Sequence, residues 1–160
     1  MEQGTNYINI MKDSLQKKII VLDKIMDVNR KQAEIIKDIK KNMADYEKTL
    51  DAKQVLIDEL NLLDDGFQVL YSRVEQEISV HKNEYAEEIK EMQKCIALIT
   101  DKSVEIQEVE EKNRQIISQQ FSLFKQEVKK FKQNKRAAGQ YYDTMQKTNY
   151  ISPQFLDQKK

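Results

Sequence analysis

The chain has 160 residues, 34% of them charged and 39% hydrophobic, with three glycines, one proline and a formal net charge of zero. That balance belongs to long helices and coiled coils rather than to average globular domains, and it excludes a wholly disordered chain, because enough apolar surface exists to offset the entropy of ordering. The longest apolar run, "CIALI" at 95–99, falls far short of the roughly 20 residues that a membrane span needs.

The N-terminal stretch "MEQGTNYINIMKDSLQKK" lacks the basic start and continuous apolar core of a secretory signal. Cys95 is the sole cysteine and has no internal disulfide partner, so a reducing cytoplasm is the expected location. Charge is unevenly spread. Residues 125–160 hold nine Lys/Arg against three Asp/Glu, leaving 18 against 24 before them.

In chain order, a seven-residue repeat starts at Ile8 and runs through Leu15, Leu22, Asn29, Ile36, Met43, Leu50 and Ile57, with Met11, Ile25, Ile39, Tyr46 and Leu60 at the complementary position. This is the period of helices packed side by side. Near "KNMADY" the local chemistry allows a break, with Asn42 or Asp45 placed to cap a new helix. Gly66 in "LDDGFQVLY" reads as a corner flanked by Asp64 and Asp65, since a mid-helix glycine costs about 1 kcal/mol relative to alanine. A second repeat then follows, Tyr71, Ile78, Tyr85, Met92, Ile99 and Ile106, persisting to about Phe131, with a slip of phase at "SVHKN" around His81.

A corner at 64–66 predicts two antiparallel helices in which positions summing to about 130 face each other. Asn29 then falls near Ser103, a pairing that would satisfy a buried amide and fix register. Residues beyond Lys125 have no partner on the first helix in this arrangement. The apolar stripe at Ile19, Ile20, Val21, Met26, Val28, Ala33 and Ile35 is wider than one partner helix covers, so a folded-back part of the chain, a second copy or a client helix must pack there. The expected fold is therefore all-α: an elongated antiparallel helical hairpin or coiled-coil bundle of two to three long helices. It occupies residues 1–136, followed by a mobile tail with short apolar anchors at 137–160.

Few residue sets could carry chemistry. His81 is the only histidine, so neither a histidine-based metal site nor a Ser-His-Asp triad can be assembled. No two glycines lie within sixty residues of each other, which excludes a glycine-rich phosphate loop. No enzymatic activity, catalytic residue, cofactor or metal is expected. The basic segment "KQEVKKFKQNKR" at 125–136 complements a helix dipole or meets an acidic protein patch; nucleic acid is the less favoured reading.

The stretch "DYEKTLDAKQVLIDELNLLDDGFQVLYSRV" at 45–74 resembles the core of the FlgN-type flagellar export chaperones. There, a leucine, a lysine three residues on and paired leucines precede the turn into a long helix; the matching positions here are Leu50, Lys53, Leu56 and Leu60. The later "QNKRAAGQYYDTMQKTNY" and "FLDQKK" are similar to the C-terminal ends of clostridial members of that group. The resemblance implies a cytoplasmic, non-enzymatic chaperone that binds helical C-terminal segments of hook–filament junction proteins of the FlgK and FlgL type. It delivers them to the flagellar type III export gate, whose components are further expected partners. It also implies a break near 42–45, giving a long first helix, a shorter second and a very long third.

Helix-in-groove packing suits such a task. Phe121, Phe124, Val128 and Phe131 are the expected anchoring face, with Tyr141, Tyr142 and Met145 closing over the client or capping the empty groove. The rival expectation is a structural coiled-coil module without a client, whose surplus stripe forms a homodimer seam.

Overall fold

The computed structural model describes the backbone of residues 2–131 and the side chains of 4–127 and 129; the tail at 137–160 lies outside the described residues. It is all-α. Helix α1 spans Glu2–Ile35, a 3-10 turn follows at Ile36–Asp38, α2 spans Met43–Val80 and α3 spans Ala86–Phe131.

Both reversals fall where the heptad packing can be interrupted at small cost. At the first, the Asn42 N–H donates to the Ile39 carbonyl at 3.1 Å, and Asn42 Nδ2 reaches back to the Ile35 carbonyl at 3.4 Å. Asn42 holds the N-cap position of α2, but its side chain makes no cap bond to that helix. At the second, residues 81–85 form a turn in which the Glu84 and Tyr85 N–H groups both donate to the His81 carbonyl. His81 is partly exposed there, with Nδ1 3.7 Å from the Glu84 carboxylate.

The corner expected at Asp64–Gly66 does not form. Gly66 sits inside the continuous helix α2, exposed, with nothing within 4 Å of the place a Cβ would occupy. Burial of the row Tyr46, Leu50, Ile57, Leu60 and Val74 along one face outweighs a glycine cost of about 1 kcal/mol. Asp64 caps nothing; it pairs with Lys18 Nζ at 2.6 Å. Replacing Gly66 by alanine is expected to stabilise the fold by about 0.5–1 kcal/mol, seen as a rise in the urea midpoint. A left-handed corner at this position would instead make the substitution destabilising.

The pairing register changes accordingly. Helix α2 runs antiparallel to α1, with Ser14 meeting Leu63, Lys18 meeting Asp64 and Gln32 meeting Thr49. Helix α3 runs parallel to α1, displaced by about eighty positions: Lys12 with Glu91, Asp23 with Lys102 and Asn29 with Glu110, and Lys40 in the first reversal meets Glu127 further along. The extensive helix packing is between α1 and each of the other two, which makes α1 the central element. This accounts for the surplus apolar stripe. Of that stripe Val21 and Met26 are buried, Ile19, Val28, Ala33 and Ile35 are half-buried, and Ile20 remains 54% exposed. The folded-back part of the chain is α3.

At the far end Gly4 lies against Glu77, whose Oε1 also accepts a 3.0 Å hydrogen bond from the Tyr85 hydroxyl. A Cβ at Gly4 would fall 2.5 Å from the Glu77 carboxylate. The atoms it would meet are the far end of a flexible side chain, so a small movement of Glu77 would accommodate a larger residue there.

Candidate partner-binding surface

The expected register pair Asn29 and Ser103 is not made. Asn29 is fully buried, but its Nδ2 donates to Glu110 Oε1 at 3.3 Å and its carbonyl accepts from Asn113 Nδ2 at 3.1 Å. Ser103 turns instead to the Ile99 carbonyl of its own helix at 2.7 Å. The displacement follows from the parallel α1–α3 register.

Around Asn29 a polar layer crosses all three helices. Lys53 Nζ donates to Gln32 Oε1 at 3.0 Å, Gln32 Nε2 donates to Thr49 Oγ1 at 3.1 Å, and Lys53 lies 4.0 Å from Glu110. Lys53 and Glu110 are each more than nine-tenths buried. Burial pushes the Lys53 ammonium below its ordinary range, and the Glu110 carboxylate offsets part of that shift. The sign of the resulting pH dependence follows. Below the depressed folded pKa, both folded and unfolded chains carry the proton and the burial penalty is felt in full. As pH rises through that value the unfolded chain binds more protons than the native one, so this residue's contribution to stability increases towards its ordinary pKa of about 10.4. Tyr85 acts oppositely at higher pH: burial and then the Glu77 carboxylate raise its phenol, so its contribution is lost above about pH 10. Urea unfolding between pH 7 and 9.5 should show a rising term that Lys53→Met removes.

The α3 terminus meets the first reversal. The Ile39 N–H donates to Gln120 Oε1 at 2.9 Å, and Gln120 Nε2 donates to the Ile36 carbonyl. One side chain thereby satisfies two backbone groups that the end of α1 leaves open. Beside it, the expected anchors divide. Phe124 is buried in the core with Lys40 Nζ 5.7 Å from its ring centroid. Phe121 is half-buried against the core, with Lys125 Nζ 5.0 Å from its centroid.

Phe124 is therefore a structural residue of the bundle end, and replacing it by aspartate would damage the fold. Val128 and Phe131 belong to the last turn of α3, but their side chains lie outside the described residues, as do Tyr141, Tyr142 and Met145. Two exposed neighbours were missed: Leu123, 60% exposed, and Ile116, 36% exposed. Their signal is a second row, Val109, Ile116 and Leu123, one heptad apart and beside the buried one.

Exposed apolar residues occur on all three helices, including Ile10, Leu62 and Ile96. Among the described residues no group of His, Cys, Asp or Glu is arranged to hold a metal ion, and no helix is long and apolar enough to cross a membrane. Compared with known proteins, the chain matches no family model, no curated protein and no solved structure.

Proposed function

We propose that the chain is a non-enzymatic cytoplasmic export chaperone. It binds helical C-terminal segments of hook–filament junction proteins and delivers them to the flagellar type III secretion apparatus. One observation carries this reading: the bundle completes its own core and still exposes large apolar side chains in helical rows, such as Ile116 and Leu123 on α3. Client segments destined for a helical filament carry apolar stripes that would self-associate if left bare. Covering them by helix packing needs such rows.

The reversal at 39–42 and the long third helix accord with the FlgN-type resemblance, although α2, at 38 residues, is longer than α1, at 34. Ile116, Phe121 and Leu123 form the client face on α3, and lysines such as Lys125 and Lys129 speed encounter with an acidic client at low salt. The test is co-expression with junction-protein C-terminal segments and co-purification. Capture is expected from the native chain and is expected to disappear with Ile116→Asp plus Leu123→Asp at unchanged far-ultraviolet circular dichroism. Failure to capture any junction segment sinks the reading.

A further inference from the structure

The first reversal leaves the heptad unbroken. Ile36, Ile39, Met43, Tyr46 and Leu50 step by three and four residues in alternation across it, the spacing of one uninterrupted helix in a packed pair. None of residues 36–42 is glycine or proline. Ile35 (φ −62°, ψ −41°) and Ile39 (φ −64°, ψ −30°) hold helical angles, whereas Asn42 (φ −114°, ψ 23°) departs from them. No side-chain cap bond holds the start of α2. The Ile39 N–H and the Ile36 carbonyl, both served by Gln120 in the reversal, would find partners four residues away in a straight helix.

The register across the reversal fits such a helix too. Helices α1 and α2 pair positions that sum to about 80, as Lys18 with Asp64 and Gln32 with Thr49 do. Two straight antiparallel copies of residues 2–80 in that register are related by a two-fold axis near position 40. Their heptad rows then meet in phase, Leu22 opposite Leu60 and Ile25 opposite Ile57. A connection that shifted the phase would forbid this pairing.

We propose that two copies of the chain exchange α1. Residues 36–42 straighten into one helix over 2–80, and each α1 packs against α2 and α3 of the other copy. Helix α3 follows α2 through the turn at 81–85, so Lys12–Glu91, Asp23–Lys102 and Asn29–Glu110 are remade between copies. The buried polar layer selects this occupant. Asn29 and Gln32 arrive on the exchanged arm, and Thr49, Lys53 and Glu110 wait on the receiving copy. An apolar helix in that place would strip Lys53 of its amide acceptor and leave the pair more poorly satisfied in the interior. Because the exchanged core is the same core, chain concentration and the cost of straightening the hinge decide between the two forms. The exchange is independent of the export reading, and its test contains no client.

The test uses the full chain with Cys95→Ser and nitroxides at 24 and 59, exposed positions on α1 and α2. It is mixed with a large excess of unlabelled chain, unfolded in urea and refolded at millimolar concentration, and monomer and dimer are separated by size. In the monomer the labels should lie within about 25 Å, since packed helices stand 8–10 Å apart. In the dimer each labelled chain should read about 50 Å, the length of about 35 residues of straight helix at 1.5 Å each. Asn42→Ala should raise the dimer fraction about threefold per hinge through helix propensity. Ala44→Pro falls at an exposed position in the first turn of α2, where proline is tolerated, but it breaks a helix running through that point and should lower the dimer fraction about a hundredfold or more. Absence of a dimer, a dimer whose labels stay within about 25 Å, or a dimer undiminished by Ala44→Pro each overturns the proposal.

Discussion

Replacing Glu110 by leucine is expected to cost about 3–5 kcal/mol of folding stability at pH 7, the range for removing one partner of a buried ion pair. The substitution leaves Lys53, 4% exposed, in the interior without its carboxylate, and it strips Asn29 Nδ2 of its acceptor. Lys53→Met alone is expected to cost less, because Glu110 keeps the Asn29 amide as a donor. Combining Lys53→Met with Glu110→Leu should recover most of the loss, to within about 1 kcal/mol of the native chain or beyond it, since well-packed apolar replacements of buried pairs are often neutral or stabilising. A double-mutant cycle in urea reads these terms directly. The pH dependence adds a check. Raising pH neutralises an unpaired Lys53, so the penalty of Glu110→Leu should shrink between pH 7 and 9.5. A Glu110→Leu variant as stable as the native chain would show that Lys53 and Asn29 do not rely on the Glu110 carboxylate as described.

The second large effect is expected at Ile106, fully buried on α3 in the parallel interface with α1. Ile106→Ala should destabilise by about 2–5 kcal/mol through lost burial and the cavity left behind. Val104→Ala, two residues away and 41% exposed, should stay within about 0.5 kcal/mol. Thermal and urea unfolding of the two variants make the comparison. Equal effects would mean that α3 does not rest on α1 through this face.

The all-α class, the heptad rows and the need for a third packing element on α1 could be read from apolar spacing alone. The irregularity at His81 shows as a slip of that spacing, whereas the break near Asn42 is marked only by local capping chemistry. What misled was punctuation. Gly66 is the only glycine between Gly4 and Gly139, and it draws the corner to itself. Its cost of about 1 kcal/mol, however, is small beside the burial of a whole helix face.

The true first reversal was concealed because Ile36, Met43 and Leu50 keep the seven-residue phase across it. The chain turns within one heptad, and the repeat continues on the other side. A corner at 64–66 sets Asn29 beside Ser103 and leaves Phe124 to a client, whereas Asn29 pairs with Glu110 and Asn113 and Phe124 packs in the core at the bundle end. Exposed Leu123 lay in the sequence all along, one position from the buried row. Only the register shows which of two neighbouring rows faces outward.

Every surface assigned here depends on reversals at 39–42 and 81–85. The most direct measurement is a spin-label distance between positions 12 and 91, whose native side chains Lys12 and Glu91 form an ion pair. Cys95 is replaced by serine for labelling, and a second pair at 40 and 127, joined by a 2.7 Å Lys40–Glu127 contact, serves as the counterpart. Short distances for both pairs, below about 25 Å once label linkers are included, are expected where helices pack 8–10 Å apart. A hairpin turning at 64–66 would place 91 and 127 far along the helix from their partners, about 40 Å and about 55 Å away at 1.5 Å per residue. Distances of that size would contradict the three-helix arrangement and the surfaces drawn from it.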